Sequence, residues 1–237
     1  MFNGKQKAVT FSFDDGVTQD RRFVEMLDRY GLKGTFNLNS ELLGKEGTLL
    51  REGKTVLHNK ISPEEARSLY KNHEIAAHTL THPTLTQVAN VREIVRQVEK
   101  DRENLSKIAG YEVTGMAYPG GGVNADARVA QIIKNKTGVR YARTTDETHS
   151  FSKQTDLFLF RPTVRMTDFD ALFSLAETFL SLPADEYALF YIWGHTYEFD
   201  IHDTWDKAED FCRLISGRPD VFYGTNAQVF LTAARSE

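Results

Sequence analysis

A chain of 237 residues with 41% apolar and 26% charged side chains has the make-up of one globular domain, expected over residues 1–237, with enough apolar material for a large core. Its net charge of −4, without a dense Lys/Arg run, argues against a nucleic-acid partner. No stretch approaches the ~18 consecutive apolar residues of a membrane span, and the lone Cys212 excludes an intrachain disulfide or a thiolate metal cluster. Met1–Lys7 lacks the apolar segment of a secretion signal, so a cytoplasmic location is the simplest expectation, although a trimmed secreted chain would read the same.

Ala8 to Phe13 reads as a strand, because Val9, Phe11 and Phe13 alternate with Thr10 and Ser12. It delivers Asp14, Asp15 and Gly16 at its C-terminal end, and the glycine permits a turn sharp enough for both carboxylates to face one cavity. Two acids that close repel, and a cation resolves the repulsion; an ordinary turn capping the next helix is the competing reading. Thr18 to Tyr30 carries Phe23, Met26, Leu27 and Tyr30 at helical spacing, with Gly31 as cap, and Lys33 to Leu38 reads as the second strand. Strand, helix and strand in quick succession open a parallel α/β architecture. Asn39 to Lys60 is polar, glycine-rich and without a period, and reads as a loop or excursion over the barrel mouth, with no role assigned.

Ser62-Pro63-Glu64-Glu65 combines a capping serine, a proline at the first helical position and a glutamate three residues after the serine. The helix it starts runs to about Asn72 and feeds a strand ending at Ala77. There His78-Thr79-Leu80-Thr81-His82 sets two imidazoles four residues apart, able to share a metal if the segment makes a helical turn, and Pro83 biases it toward a single turn or loop. Such pairs are common in solvated helices. At one strand end, matched with an acid pair at another, they make a His-His-Asp site with open positions, as a catalytic metal needs. Zinc is the first expectation; cobalt, nickel, iron and manganese suit the same donors.

Asn90 and Glu93 repeat the capping pattern before a stripe of Val91, Ile94, Val95, Val98, Leu105 and Ile108 that ends at Gly110 and belongs to the core. Thr114 to Tyr118 reads as a strand closed by Pro119-Gly120-Gly121-Gly122, whose backbone N–H groups could donate to a developing oxyanion or merely form a flexible loop. Asn124 to Lys134 is expected helical, and Arg140 to Thr144 a strand that carries Arg143 to its end, where a surface salt bridge is the competing reading. Leu157 to Val164 is expected as a strand, Asp168 to Leu182 as a helix, and Tyr187 to Trp193 as a buried parallel strand ending in Gly194-His195. Glu198 and Asp200 could accept the second ring N–H of His195. Thr204 to Ile215 is a helix, Val221 to Tyr223 a strand, and Thr225 to Gln228 the start of the last helix; His58, His73, His149 and His202 take no role. Seven or eight strands alternating with helices give an α/β fold, a distorted (β/α) barrel, with Asp14, Asp15, His78, Tyr118, Arg143 and His195 at C-terminal strand ends, the face where such barrels place chemistry.

Phe11-Ser12-Phe13-Asp14-Asp15-Gly16 and His78-Thr79-Leu80-Thr81-His82 resemble, in order and separation, the first two motifs of the polysaccharide deacetylases, the NodB-homology carbohydrate esterases. The resemblance runs from about Val9 to His195. It implies a NodB-type barrel and a metal-dependent hydrolase that removes an N-acyl group, usually acetyl, from an amino sugar or glycan. Asp15, His78 and His82 would hold the zinc, Asp14 would act as general base, and His195, in a Trp193-Gly194-His195 like the family's last motif, as general acid. Tyr118 and Gly120 would serve oxyanion and substrate, and Trp193, Tyr197, Phe199 and Trp205 could offer a sugar ring an apolar face, although core packing is the commoner fate of aromatics. Where the family's third motif has an arginine that contacts the catalytic aspartate, this chain has Ala117, and Arg143 is expected to supply that charge. Of the fourth motif's aspartate and tryptophan only Asp146 is available. The alternatives are an amidohydrolase for a small non-polysaccharide amide and, motivated by Ala117, a non-catalytic glycan-binding module; the joint presence of Asp14 and His195 favours the enzyme.

Overall fold

The computed structural model describes residues 1–233; residues 234–237 of the domain expected over 1–237 lie outside the described residues. The chain opens with β1 (Lys7–Asp14), α1 (Asp20–Arg29) and β2 (Gly34–Leu38), then makes an antiparallel hairpin of β3 (Thr48–Arg51) and β4 (Lys54–Leu57). There follow α2 (Pro63–Leu69), β5 (Glu74–Ala77), α3 (Val91–Ala109), β6 (Gly115–Ala117), α4 (Ala127–Lys136) and β7 (Tyr141–Arg143). The last part carries β8 (Val164–Arg165), α5 (Phe169–Ser181), β9 (Ala188–Gly194), α6 (Tyr197–His202), α7 (Trp205–Ile215), β10 (Val221–Tyr223) and α8 (Asn226–Ala233).

Eight strands form one parallel sheet in the order β7-β6-β5-β2-β1-β9-β8, with β10 also paired to β1. The expected distorted α/β barrel is therefore present, and β1 is its axis of assembly. One edge of β1 runs along β9 from Lys7 to Phe13; the other is shared, with β10 on residues 7–9 and β2 on residues 11–14. All eight residues of β1 are buried, so its alternation separates two interiors rather than core from solvent. Val9, Phe11 and Phe13 join the apolar layer under the helices, where a buried side chain of that size contributes roughly 1.5–3 kcal/mol. Thr10, Ser12 and Asp14 enter the barrel, where polar atoms need partners: Thr10 Oγ1 donates to Asn226 Oδ1 at 2.9 Å and Asn37 Nδ2 donates to Ser12 Oγ at 2.9 Å. The start of α8 closes the floor, with Asn226 N donating to Thr35 Oγ1 and Ala227 N to the buried Glu74, both at 2.9 Å.

Local signals explain most element ends. Ser62 Oγ accepts from Glu65 N at 3.2 Å, Asn90 Oδ1 accepts from Arg92 N at 2.9 Å, and Gly110 ends α3 at φ 79°. Three expectations need correction, and one helix, α6, forms where no element was expected. Leu157 to Val164 is not a strand: Pro162 brings no N–H to a ladder, so Phe160 makes a single bridge to Arg143 and only Val164–Arg165 pair with β9. The segment 39–60 contains the β3–β4 hairpin, turned through Glu52 and Gly53, both at positive φ. Residues 197–202 form α6. The helix after the glycine loop begins behind Asp126, whose Oδ1 accepts from Val129 N at 2.7 Å, because Asn124 is engaged elsewhere, its Nδ2 donating to Tyr118 O at 2.9 Å.

Candidate metal centre

A cavity of about 310 Å³ opens at the C-terminal ends of the strands and is walled by Asp14, Asp15, His78, His82 and His195. Asp15 leaves β1 at φ 82°, a conformation rare for a residue with a side chain, and Gly16 continues it at φ 60°. The positive φ at Gly16 favours glycine, and a Cβ there would also come within 2.7 Å of Leu38 Cδ2, which would have to move. His78 follows β5 directly. Its N–H donates to Leu38 O at 2.9 Å and Asp101 Oδ2 at 3.0 Å, and Asn39 Nδ2 donates to its carbonyl at 2.5 Å. The two histidines are joined by a loop, as Pro83 implies, and not by a helical turn: Thr79 and His82 both adopt positive φ, at 67° and 64°, and His82 N donates to Thr79 Oγ1 at 3.1 Å.

One ligand atom each from Asp15, His78 and His82 lies within 4.8 Å of the other two. His78 Nδ1 stands 2.8 Å from Ala117 O, which assigns the ring proton to that nitrogen and leaves Nε2 with its lone pair for a ligand. Burial holds the His78 pKa down at about 4, against the pull of Asp14, so the ring is neutral at ordinary pH as a metal ligand must be. Burial would raise Asp15, but His58 and Lys60 outweigh it and hold the carboxyl well below its usual value. Two imidazoles and a carboxylate of this chemistry fit zinc or a neighbouring divalent metal.

Asp14 lies beside this trio. Arg143 Nη2 donates to both of its oxygens at 2.5 Å, Nε donates to Ser12 Oγ at 3.0 Å, and Asn37 Nδ2 donates to Asp14 Oδ1 at 2.8 Å. Arg143 and Asp14 are both buried, which rules out a surface salt bridge for this arginine. Burial raises the Asp14 pKa, yet the charge and hydrogen bonds of Arg143, with His195 adding to them, bring it below the ordinary carboxylate value. His195 Nε2 faces Asp14 Oδ2 at 4.0 Å while Nδ1 meets Glu198 Oε1 at 3.1 Å. Burial alone would lower the His195 pKa; the Glu198 charge and hydrogen bond raise it instead. Glu198 in turn is held at about 2, against its burial, by His195 and Arg165.

The remaining expected residues divide. Gly120, Trp193 and Tyr197 line the cavity. Tyr118 does not: its N–H donates to Arg143 O at 2.9 Å and its hydroxyl to Phe158 O at 2.8 Å. Asp146 points to solvent and pairs with Arg161 at 2.7 Å. Asp200 accepts from Trp205 Nε1 at 2.8 Å and Gln19 Nε2 at 2.9 Å, away from His195. Phe199 and Trp205 pack in the core and present no face to the cavity. Residues without an expected role also arrive. His58 and Lys60 contact Asp15, Asp101 holds the His78 backbone, and Arg165 grips Glu198 while standing over the Trp193 ring. No spacing in the sequence ties these four to the motifs; His58 and Lys60 fall in the segment read as a loop or excursion.

With this geometry in place, comparison with known proteins is informative. The model of the polysaccharide deacetylase family matches residues 3–142, more than half of the chain, and the chain belongs to that family, as its two motifs imply. The matched region contains Asp14, Asp15, His78 and His82 and ends just before Arg143. Peptidoglycan-N-acetylmuramic acid deacetylase PdaC of Bacillus subtilis (strain 168) is 28% identical over 126 residues, 52% of this chain and 23% of that protein, so the chain spans about a quarter of the length of that relative. A family 4 carbohydrate esterase from Streptomyces lividans superposes with a TM-score of 0.58 over 96% of both chains at 13% identity. BA3943, a CE4 family pseudoenzyme from Bacillus anthracis, superposes with a TM-score of 0.54 over 94% of this chain and 65% of its own, at 15% identity. At such identities the likeness concerns the fold. No helix among the described residues is long and apolar enough to cross a membrane.

Proposed function

We propose that the chain is a metal-dependent hydrolase that removes an N-acyl group, acetyl first, from an amino sugar or glycan. The observation that carries this reading is the placement of a carboxylate held below its ordinary pKa and an imidazole held above its own, Asp14 and His195, 4.0 Å apart beside the Asp15-His78-His82 trio. Family membership and the name of the Bacillus subtilis relative support an N-acetylated sugar as substrate.

Asp15, His78 and His82 would hold the ion, zinc before cobalt, nickel, iron or manganese. When bound, a divalent metal supplies Lewis acidity at the acyl oxygen and lowers the pKa of water toward ~7. Asp14, kept ionised by Arg143, accepts the proton that the attacking water gives up. The backbone around Gly120, at the cavity wall, is suited to donate to the developing oxyanion. His195, whose proton affinity Glu198 raises, gives its proton to the departing amine, which leaves poorly as an anion. Arg143 acts through Asp14, and Glu198 through His195. Trp193 and Tyr197 offer the sugar an apolar wall.

The test is release of acetate and formate from a panel of N-acyl sugars, oligosaccharides and small amides, using metal-stripped protein with and without added zinc or cobalt. Metal-dependent release is expected, and Asp14→Asn should keep the metal while turnover falls ~100- to 10,000-fold. Loss of metal from Asp14→Asn would mean that Asp14 and Asp15 have exchanged roles. Oligosaccharide binding with metal bound and no release from any substrate would replace the enzyme by a binding module.

A further inference from the structure

The hairpin β3–β4 and the residues that follow it belong to the metal site rather than only covering it. We propose that His58 and Lys60 are positioning residues that set Asp15 as a metal ligand and so tune the affinity of the site for its ion. The proposal rests on the assignment of Asp15, His78 and His82 as ligands.

Asp15 and Gly16 both hold positive φ, at 82° and 60°, so the turn that presents the ligand must be imposed from outside. Residues 58–61 impose it. Thr18 N donates to Asn59 O at 2.8 Å, Ile61 N donates to Gly16 O at 2.9 Å, and Val17 and Lys60 form an antiparallel bridge. Lys60 Nζ donates to the main-chain oxygen of Asp15 at 2.8 Å and lies 3.5 Å from Oδ1. His58 Nε2 stands 3.3 Å from Oδ2, which engages that oxygen and turns Oδ1, 3.5 Å from His82 Nε2, toward the ligand cluster. Each carboxylate oxygen thus has its own task.

His58 does not line the cavity, and its ring meets Tyr197 edge-on at 5.0 Å, so its action is on Asp15 and not on substrate. The other side of the hairpin is fastened to α6: Val56 packs with Val17, Tyr197 and Ile201, and Lys54 Nζ donates to Ile201 O at 2.7 Å. One hairpin therefore braces the ligand Asp15 and the helix that carries Glu198.

Partners of metal-bound carboxylates and imidazoles typically change metal affinity 10- to 100-fold when removed. Titration calorimetry of zinc into the metal-free full chain should show His58→Ala and Lys60→Met each weaker than wild type by about that factor. His58→Gln, whose amide N–H can still donate to Oδ2, should recover most of the loss, and the visible spectrum of the cobalt form should shift in His58→Ala but not in His58→Gln. Melting of the metal-free proteins is followed in parallel; if Lys60→Met does not fold, the two His58 variants decide. Zinc affinity within twofold of wild type in every folded variant would overturn the proposal, as would equal losses in His58→Ala and His58→Gln. Wild-type protein that binds neither zinc nor cobalt would overturn the ligand assignment itself, a different outcome from a wild type that binds and variants that do not differ.

Discussion

Replacing Arg143 by methionine isolates what the buried pair with Asp14 contributes. Arg143 is fully buried, and its guanidinium donates to both Asp14 oxygens at 2.5 Å, to Ser12 Oγ at 3.0 Å and, through Nη1, to Thr144 O at 3.1 Å. Methionine fills much of the space but removes the ion-pair partner of Asp14, leaving Asn37 Nδ2 at 2.8 Å as its hydrogen-bond donor and His195 Nε2 4.0 Å away. Removing one partner of a buried pair costs about 3–5 kcal/mol. In a domain of this length 1 kcal/mol moves Tm by about 2–4 °C, so the metal-free variant should melt roughly 6–20 °C below wild type. The cause can be separated from lost packing by a double-mutant cycle in calorimetry. Arg143→Met with Asp14→Asn removes both charges and should recover at least ~2 kcal/mol of the single-variant loss. If the double variant melts no higher than Arg143→Met alone, or the single variant melts within ~2 °C of wild type, an unpaired buried charge is not what Arg143 prevents, and the argument that it keeps Asp14 ionised fails with it.

Two further outcomes follow from the core. His73, buried at the start of β5 with Nδ1 accepting from Gly34 N at 3.1 Å, is held at a pKa of about 4 by burial against the pull of Asp28. Its folded pKa lies below its unfolded value near 6.5, so its stabilisation is complete above 6.5 and is lost as pH falls through 4. The slope is about 1.4 kcal/mol per pH unit, roughly 3 kcal/mol in all. Urea midpoints at about pH 7.5 and pH 4.5 should converge for His73→Gln relative to wild type, and parallel curves would refute the assignment. In β6, a Cβ on Gly115 would collide with the Tyr141 ring and hydroxyl, and that hydroxyl is committed to Glu74 at 2.9 Å. Gly115→Ala should therefore cost ~1–3 kcal/mol; an unchanged Tm would show that the strand shifts freely.

The barrel was legible in the sequence because its strands end where chemistry-bearing residues begin. Asp14, His78 and His195 each follow an apolar run short enough to be a buried parallel strand, and periodicity in α1 and α3 supplies surrounding helices. Less visible was anything set by contacts distant in sequence. Glu198 and Asp200 were equal candidates to orient His195, being three and five residues away; only the turn of α6 decides that Glu198 reaches Nδ1 while Asp200 meets Trp205. Asp146 matched a motif by position, yet it ends at the surface on Arg161. His58 and Lys60 reach Asp15 across more than 40 positions through a hairpin whose Glu52-Gly53 tip is a weak turn signal beside Asn-Gly.

The relation between Ala117 and Arg143 has a simple geometric basis. They are register partners on β6 and β7, so their side chains emerge on the same face of the sheet and into the same interior. An arginine at either position starts about 4.8 Å from the other, a distance that a long, flexible side chain spans while still presenting its planar fork to a carboxylate. Alanine at 117 then has its own use: it leaves the interior open for the guanidinium of Arg143, while its carbonyl orients His78 Nδ1 at 2.8 Å. Glu198 reaches His195 from three residues further along the chain, through the turn of α6. What the proposed chemistry requires is a cation on Asp14 and an anion on His195. The sheet register supplies the first from Arg143 instead of position 117, and α6 supplies the second, so the altered third motif does not by itself count against catalysis.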